Sequence, residues 1–184
     1  MLHTILSISG ASGSGKSTLE RCITQHFGGG KVRTVTTREP RPGETEQDYC
    51  FEAVAALERR DDVLWQVETH NACYAAVFSE FERAARESGG VVCIAVTPEG
   101  HELVSTHFEH QGIRCVRVHL EHPGDAVLRE RLARRGLDPA AIDRRIDDSR
   151  VFEEEVDRMG GVHTIPNTDA AAQCVYVLQL LNQS

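Results

Sequence analysis

Residues 10–17 read GASGSGKS. Glycines, a lysine and a hydroxyl at this spacing fit the pattern GxxxxGK[ST], which suits the holding of a polyphosphate. Gly10, Gly13 and Gly15 allow tight backbone turns that aim N–H groups inward. Ala11, Ser12 and Ser14 complete the loop. A helix beginning at Lys16 adds the partial positive charge of its N-terminus. Lys16 is placed to reach the outer phosphates, Thr18 lies in the first turn, and Ser17 is placed to ligate Mg²⁺. Lys16 and Lys31 are the only lysines among 20 basic residues. A chain that otherwise chooses arginine keeps a lysine at 16. A chance glycine turn would lack the context found here, an apolar run before it and helical spacing after it. The expectation is a nucleoside triphosphate site.

A second anion-binding pattern follows in TTREPRPGETEQDYCF. Arg38 and Arg41 lie three apart, and Pro40 and Pro42 stiffen the segment. Fixed guanidiniums grip a phosphate bidentately, and Tyr49 offers a hydroxyl donor. Taken alone, the segment reads equally well as a solvated basic loop.

The elements that must position these residues alternate along the chain. HTILSIS is an apolar strand that leads into the loop, and KSTLERCITQHF is a helix stopped by glycines. KVRTVTT, DVLWQVET, CYAAV, VVCIAV, IRCVRVHL and VHTIPN read as strands. AVAALERR, SEFERAARESG (with a serine N-cap), PEGHELVSTHFEHQ, PGDAVLRERLARRG, DPAAIDRRIDDSRVFEEEVDRMG and DAAAQCVYVLQLLNQ read as helices. This order predicts an α/β fold with a mainly parallel sheet covered on both faces.

The 184 residues make one domain's length. No run is long and apolar enough to span a membrane, and MLHTILSISG reads as a buried strand rather than a signal peptide. The formal charge of −8 argues against nucleic-acid binding. Six cysteines without a CxxC pair read as small core residues of a reducing, cytoplasmic setting. His101, His107 and His110 share a helix and read as a solvated face rather than a metal site.

The chain resembles the guanylate kinase family of nucleoside monophosphate kinases. The resemblance rests on the phosphate loop, on TTREPRPGE and DYCF against TTRxPRxGE and DYxF, and on RLARRGLDPAAIDRRI. It implies a P-loop NTPase kinase fold with a parallel central sheet, an acceptor-binding insertion and a helical lid. The core would comprise 1–32, 89–123 and 159–184, the insertion 33–88 and the lid 124–158. It implies ATP and Mg²⁺ as cofactors and a small phosphorylated acceptor, with GMP or dGMP the first expectation, in a monomer or homodimer. Arg38, Arg41, Tyr49 and Tyr74 take the places that grip the acceptor's phosphate. Arg131, Arg135 and Arg145 take the places of lid arginines, and Asn167 that of an asparagine near the adenine.

The family reads guanine with a glutamate and a hydroxyl, and here Trp65 and Ala76 fall at those places. Ala95 and Thr97 replace two aspartates that serve Mg²⁺ and substrate in the family. Glu68, three residues after Trp65, and Glu99 are the candidate substitutes, and an altered base preference is expected. The chain also resembles ribose 1,5-bisphosphate phosphokinase, whose acceptor has no base. A non-catalytic guanylate kinase-like interaction domain is the third alternative, and Lys16 argues against it.

Overall fold

The computed structural model describes residues 1–40, 44–69 and 72–183. Strand β1 (Thr4–Gly10) is buried along its whole length. It pairs in parallel with β6 (Val91–Ala95) on one side and β7 (Arg114–Leu120) on the other, and β8 (Val162–Ile165) follows β7. Strand alternation divides the β1 side chains between the two faces. Leu6 and Ile8 pack with helices α1 (Lys16–His26) and α7 (Ala170–Asn182). Ile5 packs with α3 (Phe78–Glu87) and α4 (Pro98–Phe108), chiefly through Phe81, Ala84, Val104 and Phe108. Each fully buried Phe or Leu of these two layers contributes about 1.5–3 kcal/mol.

The acceptor segment departs from the parallel expectation. β2 (Val35–Thr36), β3 (Cys50–Phe51), β4 (Val63–Thr69) and β5 (Ala72–Val77) form a separate sheet ordered β3-β2-β5-β4. Its β2–β5 and β4–β5 pairs are antiparallel. β4 and β5 lie too close in sequence for the long crossover that a parallel pair needs. Helix α2 (Val54–Leu57) lies between β3 and β4. Helices α5 (Asp125–Arg134) and α6 (Pro139–Arg158) pack on the phosphate loop, where Leu128, Leu132, Ile142 and Ile146 enclose Ala11. Asp138 caps α6, its carboxylate accepting the Ala141 N–H at 2.9 Å.

Three sequence expectations are corrected. Ser79 does not cap α3, which starts at Phe78 without a side-chain cap, because the Ser79 hydroxyl donates to Asp62 at 2.5 Å. Cys22 and Cys174 are not separate thiols. They form a disulfide between α1 and α7, with Cα atoms 6.2 Å apart, while Cys50, Cys73, Cys93 and Cys115 are free. His101 is not on a solvated face but has no exposed surface.

His101 belongs to a buried chain of hydrogen bonds. Ser7 donates to His101 Nδ1 at 2.7 Å, and His101 Nε2–H donates to Ser9 Oγ at 2.8 Å. Ser9 donates to His119 Nδ1 at 2.7 Å, and His119 Nε2–H donates to Glu153 Oε1 at 2.9 Å. A carboxylate only accepts, so a neutral His119 that donates to Glu153 fixes the direction of all four bonds and one tautomer of each ring. Burial, with His119 and Arg117 nearby, lowers the His101 pKa to about 3 and keeps its ring neutral. The chain runs from α4 through β1 and β7 to α6.

The second sheet is held to α3 by charge. Glu80 Oε2 accepts from Arg33 Nε at 2.8 Å and from Arg83 Nη2 at 2.8 Å, and Glu80 Oε1 accepts from Arg33 Nη2 at 2.6 Å. Burial alone would raise its pKa, but the hydrogen bonds from Arg33 and Arg83 outweigh it and bring it to about 2. Among the described residues, no helix is long and apolar enough to cross a membrane.

Candidate active site

The loop that follows β1 turns on Gly10. Its φ is +141°, and a Cβ there would lie 2.8 Å from the Leu120 carbonyl oxygen, so glycine is required. Gly15, with φ +111°, precedes α1 and leaves the first N–H groups of that helix directed at the loop. Lys16 folds back over the loop, its Nζ donating to the carbonyls of Gly10 at 2.7 Å and Ala11 at 3.0 Å. Burial lowers its pKa to about 8. Glu20 opposes the shift, and Arg135 and Arg145 add to it. Ser14 Oγ is buried without a hydrogen-bond partner among the described residues. Ser17 and Thr18 are exposed at the helix start.

Three elements distant in sequence each send a side chain to this loop. From α5, Arg131 Nη1 donates to the Gly13 carbonyl at 2.8 Å. From α6, Arg145 Nη1 donates to Ser12 Oγ at 2.9 Å. After β8, Asn167 Nδ2 donates to the carbonyls of Ser14 at 2.7 Å and Glu121 at 2.9 Å. Asn167 thus ties the loop to the end of β7. Arg135 borders the cavity beside Ser17.

Two cavities meet at Lys16. Ser12, Thr34, Tyr49 and Ala95 also border both. The first continues past Ser17, Thr18, Glu20, Lys31 and Asp48 to Arg134 and Arg135. The second is walled by Trp65, Val67, Tyr74, Ala76, Ile94 and Val96, with Thr97, Arg145, Asp148 and Ser149 at its polar side.

On the acceptor side, Arg38 Nε donates to Tyr74 Oη at 3.1 Å. Its two terminal nitrogens donate to the Glu44 carboxylate at 2.6 and 2.9 Å. Its guanidinium also lies 4.7 Å from the centre of the Tyr49 ring. Burial works against its charge, but Glu44 and Tyr74 more than offset this and raise its pKa. Tyr49 and Tyr74 stand with ring centres 6.3 Å apart. Burial, with Glu20 nearby, raises the Tyr49 pKa. Arg41 lies outside the described residues.

Trp65 borders the second cavity and packs on Phe81 and His107, with ring centres at 6.0 and 5.3 Å. Neither carboxylate substitute reaches it. Glu68 is exposed and borders neither cavity, because alternation along β4 turns Trp65 and Val67 inward and the residues between and after them outward. Glu99 opens α4 on its exposed side. Carboxylates that sequence reading missed do border the site: Asp148 lines the second cavity, and Glu44, Asp48 and Glu20 line the first. Glu20 is 4% exposed, and burial raises its pKa. The signal was available, since Glu20 falls four residues after Lys16 and three before Ile23, inside the buried stripe of α1.

The donor set suits Mg²⁺ carried with a nucleotide. A Ser17 hydroxyl and the Glu20 carboxylate border one cavity, and among the described residues no group of three or more His, Cys, Asp or Glu converges as a protein-only metal site.

The parallel sheet, the loop between β1 and α1, and the helical pair above it define a P-loop kinase fold. No family model matches the chain. It is 32% identical over 111 residues to a guanylate kinase of Fusobacterium nucleatum, spanning 58% of this chain and 60% of that one. It is 40% identical over 67 residues to a guanylate kinase of Hyphomonas neptunium, spanning 33% and 31%. The crystal structure of guanylate kinase from Anaplasma phagocytophilum superposes with a TM-score of 0.71 at 18% identity, covering 98% of this chain and 85% of that one. The resemblance to the guanylate kinase family is therefore present in sequence over part of the chain and in fold over nearly all of it. These matches do not carry the resemblance to ribose 1,5-bisphosphate phosphokinase.

Proposed function

We propose that the chain is an ATP-dependent kinase that passes a phosphoryl group to the phosphate of a small acceptor, a nucleoside monophosphate, and releases ADP. The observation that supports this most is the position of Lys16 on the shared wall of two cavities, one rich in cations and hydroxyls, the other aromatic and apolar. In this reading residues 33–88 bind the acceptor and 124–158 form the lid over the triphosphate.

Lys16 would exchange the carbonyls of Gly10 and Ala11 for phosphate oxygens. Arg131, Arg135 and Arg145 would neutralise charge on the transferring group. Arg38, Tyr49 and Tyr74 would orient the acceptor's phosphate, which is already ionised and needs no strong base. Ser17 would hold Mg²⁺, which lowers the charge on the phosphates when bound. GMP or dGMP is the first acceptor to test. The indole and methyl at Trp65 and Ala76 favour an altered base preference.

A coupled ADP-release assay over GMP, dGMP, AMP, CMP, UMP, dTMP and ribose 1,5-bisphosphate tests the reading. Turnover with at least one nucleotide is expected. Turnover with ribose 1,5-bisphosphate alone would replace the nucleotide by a sugar phosphate. ATP binding with no turnover on any acceptor would favour an interaction domain.

A further inference from the structure

Three carboxylates border the cavity beside Ser17, and they are not alike. Glu44 is bound bidentately to Arg38. Asp48 is paired with Lys31 at 3.5 Å, with its side chain 40% exposed. Glu20 alone of the three is more than nine-tenths buried. It stands on the phosphate-loop helix, one turn after Lys16, and borders the same cavity as Ala95 at the end of β6. Strand β6 itself ends without an acid, at Ala95, Val96 and Thr97, and Glu99 points to solvent.

A buried carboxylate costs several kcal/mol without compensation, and an apolar residue would serve the packing of α1 better. The charges of Lys31 and Lys16 act on Glu20, but Lys31 is also paired with Asp48 and Lys16 donates to the carbonyls of Gly10 and Ala11, and burial still outweighs them. Hard divalent cations bound with nucleotides take one or two carboxylates, a hydroxyl and phosphate oxygens, and keep several waters. Ser17 and Glu20 border the same cavity and provide the protein's share of such a set.

We propose that Glu20 supplies the carboxylate arm of a divalent-cation site shared with the Ser17 hydroxyl, in place of an acid at the end of β6. This rests on the reading of the chain as a nucleotide kinase. The site takes Mg²⁺ or Mn²⁺ together with a nucleoside triphosphate, either through Glu20 directly or through a water that it holds.

The test is binding rather than turnover. The free Mn²⁺ signal is followed by electron paramagnetic resonance while protein is added with a non-hydrolysable ATP analogue. Glu20→Gln and Glu20→Leu are compared with the wild type, and nucleotide affinity without metal is measured for each. Both variants are expected to weaken Mn²⁺ binding fivefold or more without weakening metal-free nucleotide affinity, since a carboxylate beside Lys16 only repels the phosphates when no cation is bound. A Mn²⁺ affinity reduced less than fivefold in the folded variants overturns the inference and leaves the kinase reading standing. Failure of the wild type to bind the analogue overturns both, and is visible before any variant is compared.

Discussion

Trp65 on β4 and Ala76 on β5 are direct partners across an antiparallel pair. The two side chains that differ most from a guanine-reading site therefore alter one patch of cavity wall. An indole and a methyl accept no hydrogen bond, and a buried polar group left without its partner costs about 1–3 kcal/mol. The expected outcome is a GMP preference under a hundredfold in kcat/KM across the nucleotide panel. Glu68→Gln should leave the ratios unchanged, because Glu68 is exposed on the other side of β4. A GMP preference above a hundredfold, removed by Glu68→Gln, is the contrary result.

Lys16→Met should lower kcat by a hundredfold or more, equivalent to about 3 kcal/mol of transition-state stabilisation. Its Nζ makes only hydrogen bonds to loop carbonyls in the described contacts, so the circular dichroism spectrum should be unchanged. Near-normal turnover of the folded variant would remove Lys16 from the mechanism.

Arg38→Ala should raise the acceptor's KM by roughly tenfold to a hundredfold, from about 1.5–3 kcal/mol of lost charge-assisted hydrogen bonding. The ATP KM should change little, because Arg38 is bonded to Tyr74 and Glu44 rather than to the phosphate loop. Initial-rate measurements with each substrate varied in turn distinguish the two outcomes.

The sequence made the loop, its flanking strand and helix, and the alternation of elements readable because each is local. Gly10, Lys16 and Ser17 lie within one turn of chain, and β1 and α1 have their own periodicities. What it hid depends on contacts between distant positions. The second sheet arises from β2 pairing with β5 rather than with the core. Cys22 meets Cys174 only because α1 packs on α7. Glu68 looked closer to the missing glutamate in sequence than Glu20, yet strand alternation turns one outward and helix periodicity turns the other in.

Glu80 should give the fold a measurable pH dependence. Its pKa falls from an ordinary 4.5 to about 2 in the folded chain. A depressed carboxylate stabilises the fold fully above its unfolded value and ceases to do so as pH falls through its folded value. Glu80→Gln should therefore cost on the order of 3 kcal/mol at pH 7, and the difference from wild type should shrink between about pH 4.5 and 2. Urea titrations of both proteins at pH 7, 4.5 and 3 test this, and a constant difference would contradict it.

The Cys22–Cys174 link closes a sequence separation of 152 residues. Chain-entropy arguments assign such a loop up to ~5 kcal/mol. Reductant, or Cys22→Ser with Cys174→Ser, should lower Tm by roughly 5–15 °C. An unchanged Tm would mean that the packing of α1 on α7 holds these helices without the bond.

The chain of hydrogen bonds from Ser7 to Glu153 makes a fulcrum of Glu153. It fixes the C-terminal half of α6 to the core, while Arg145, eight residues earlier, touches Ser12 of the loop. At 1.5 Å per residue, the arm between them is ~12 Å long. A rotation of about 10° around Glu153 would swing Arg145 by ~2 Å, enough to break its contact with Ser12 and open the loop. Any larger swing of α6 must either bend the helix between these two residues or pull the carboxylate away from His119.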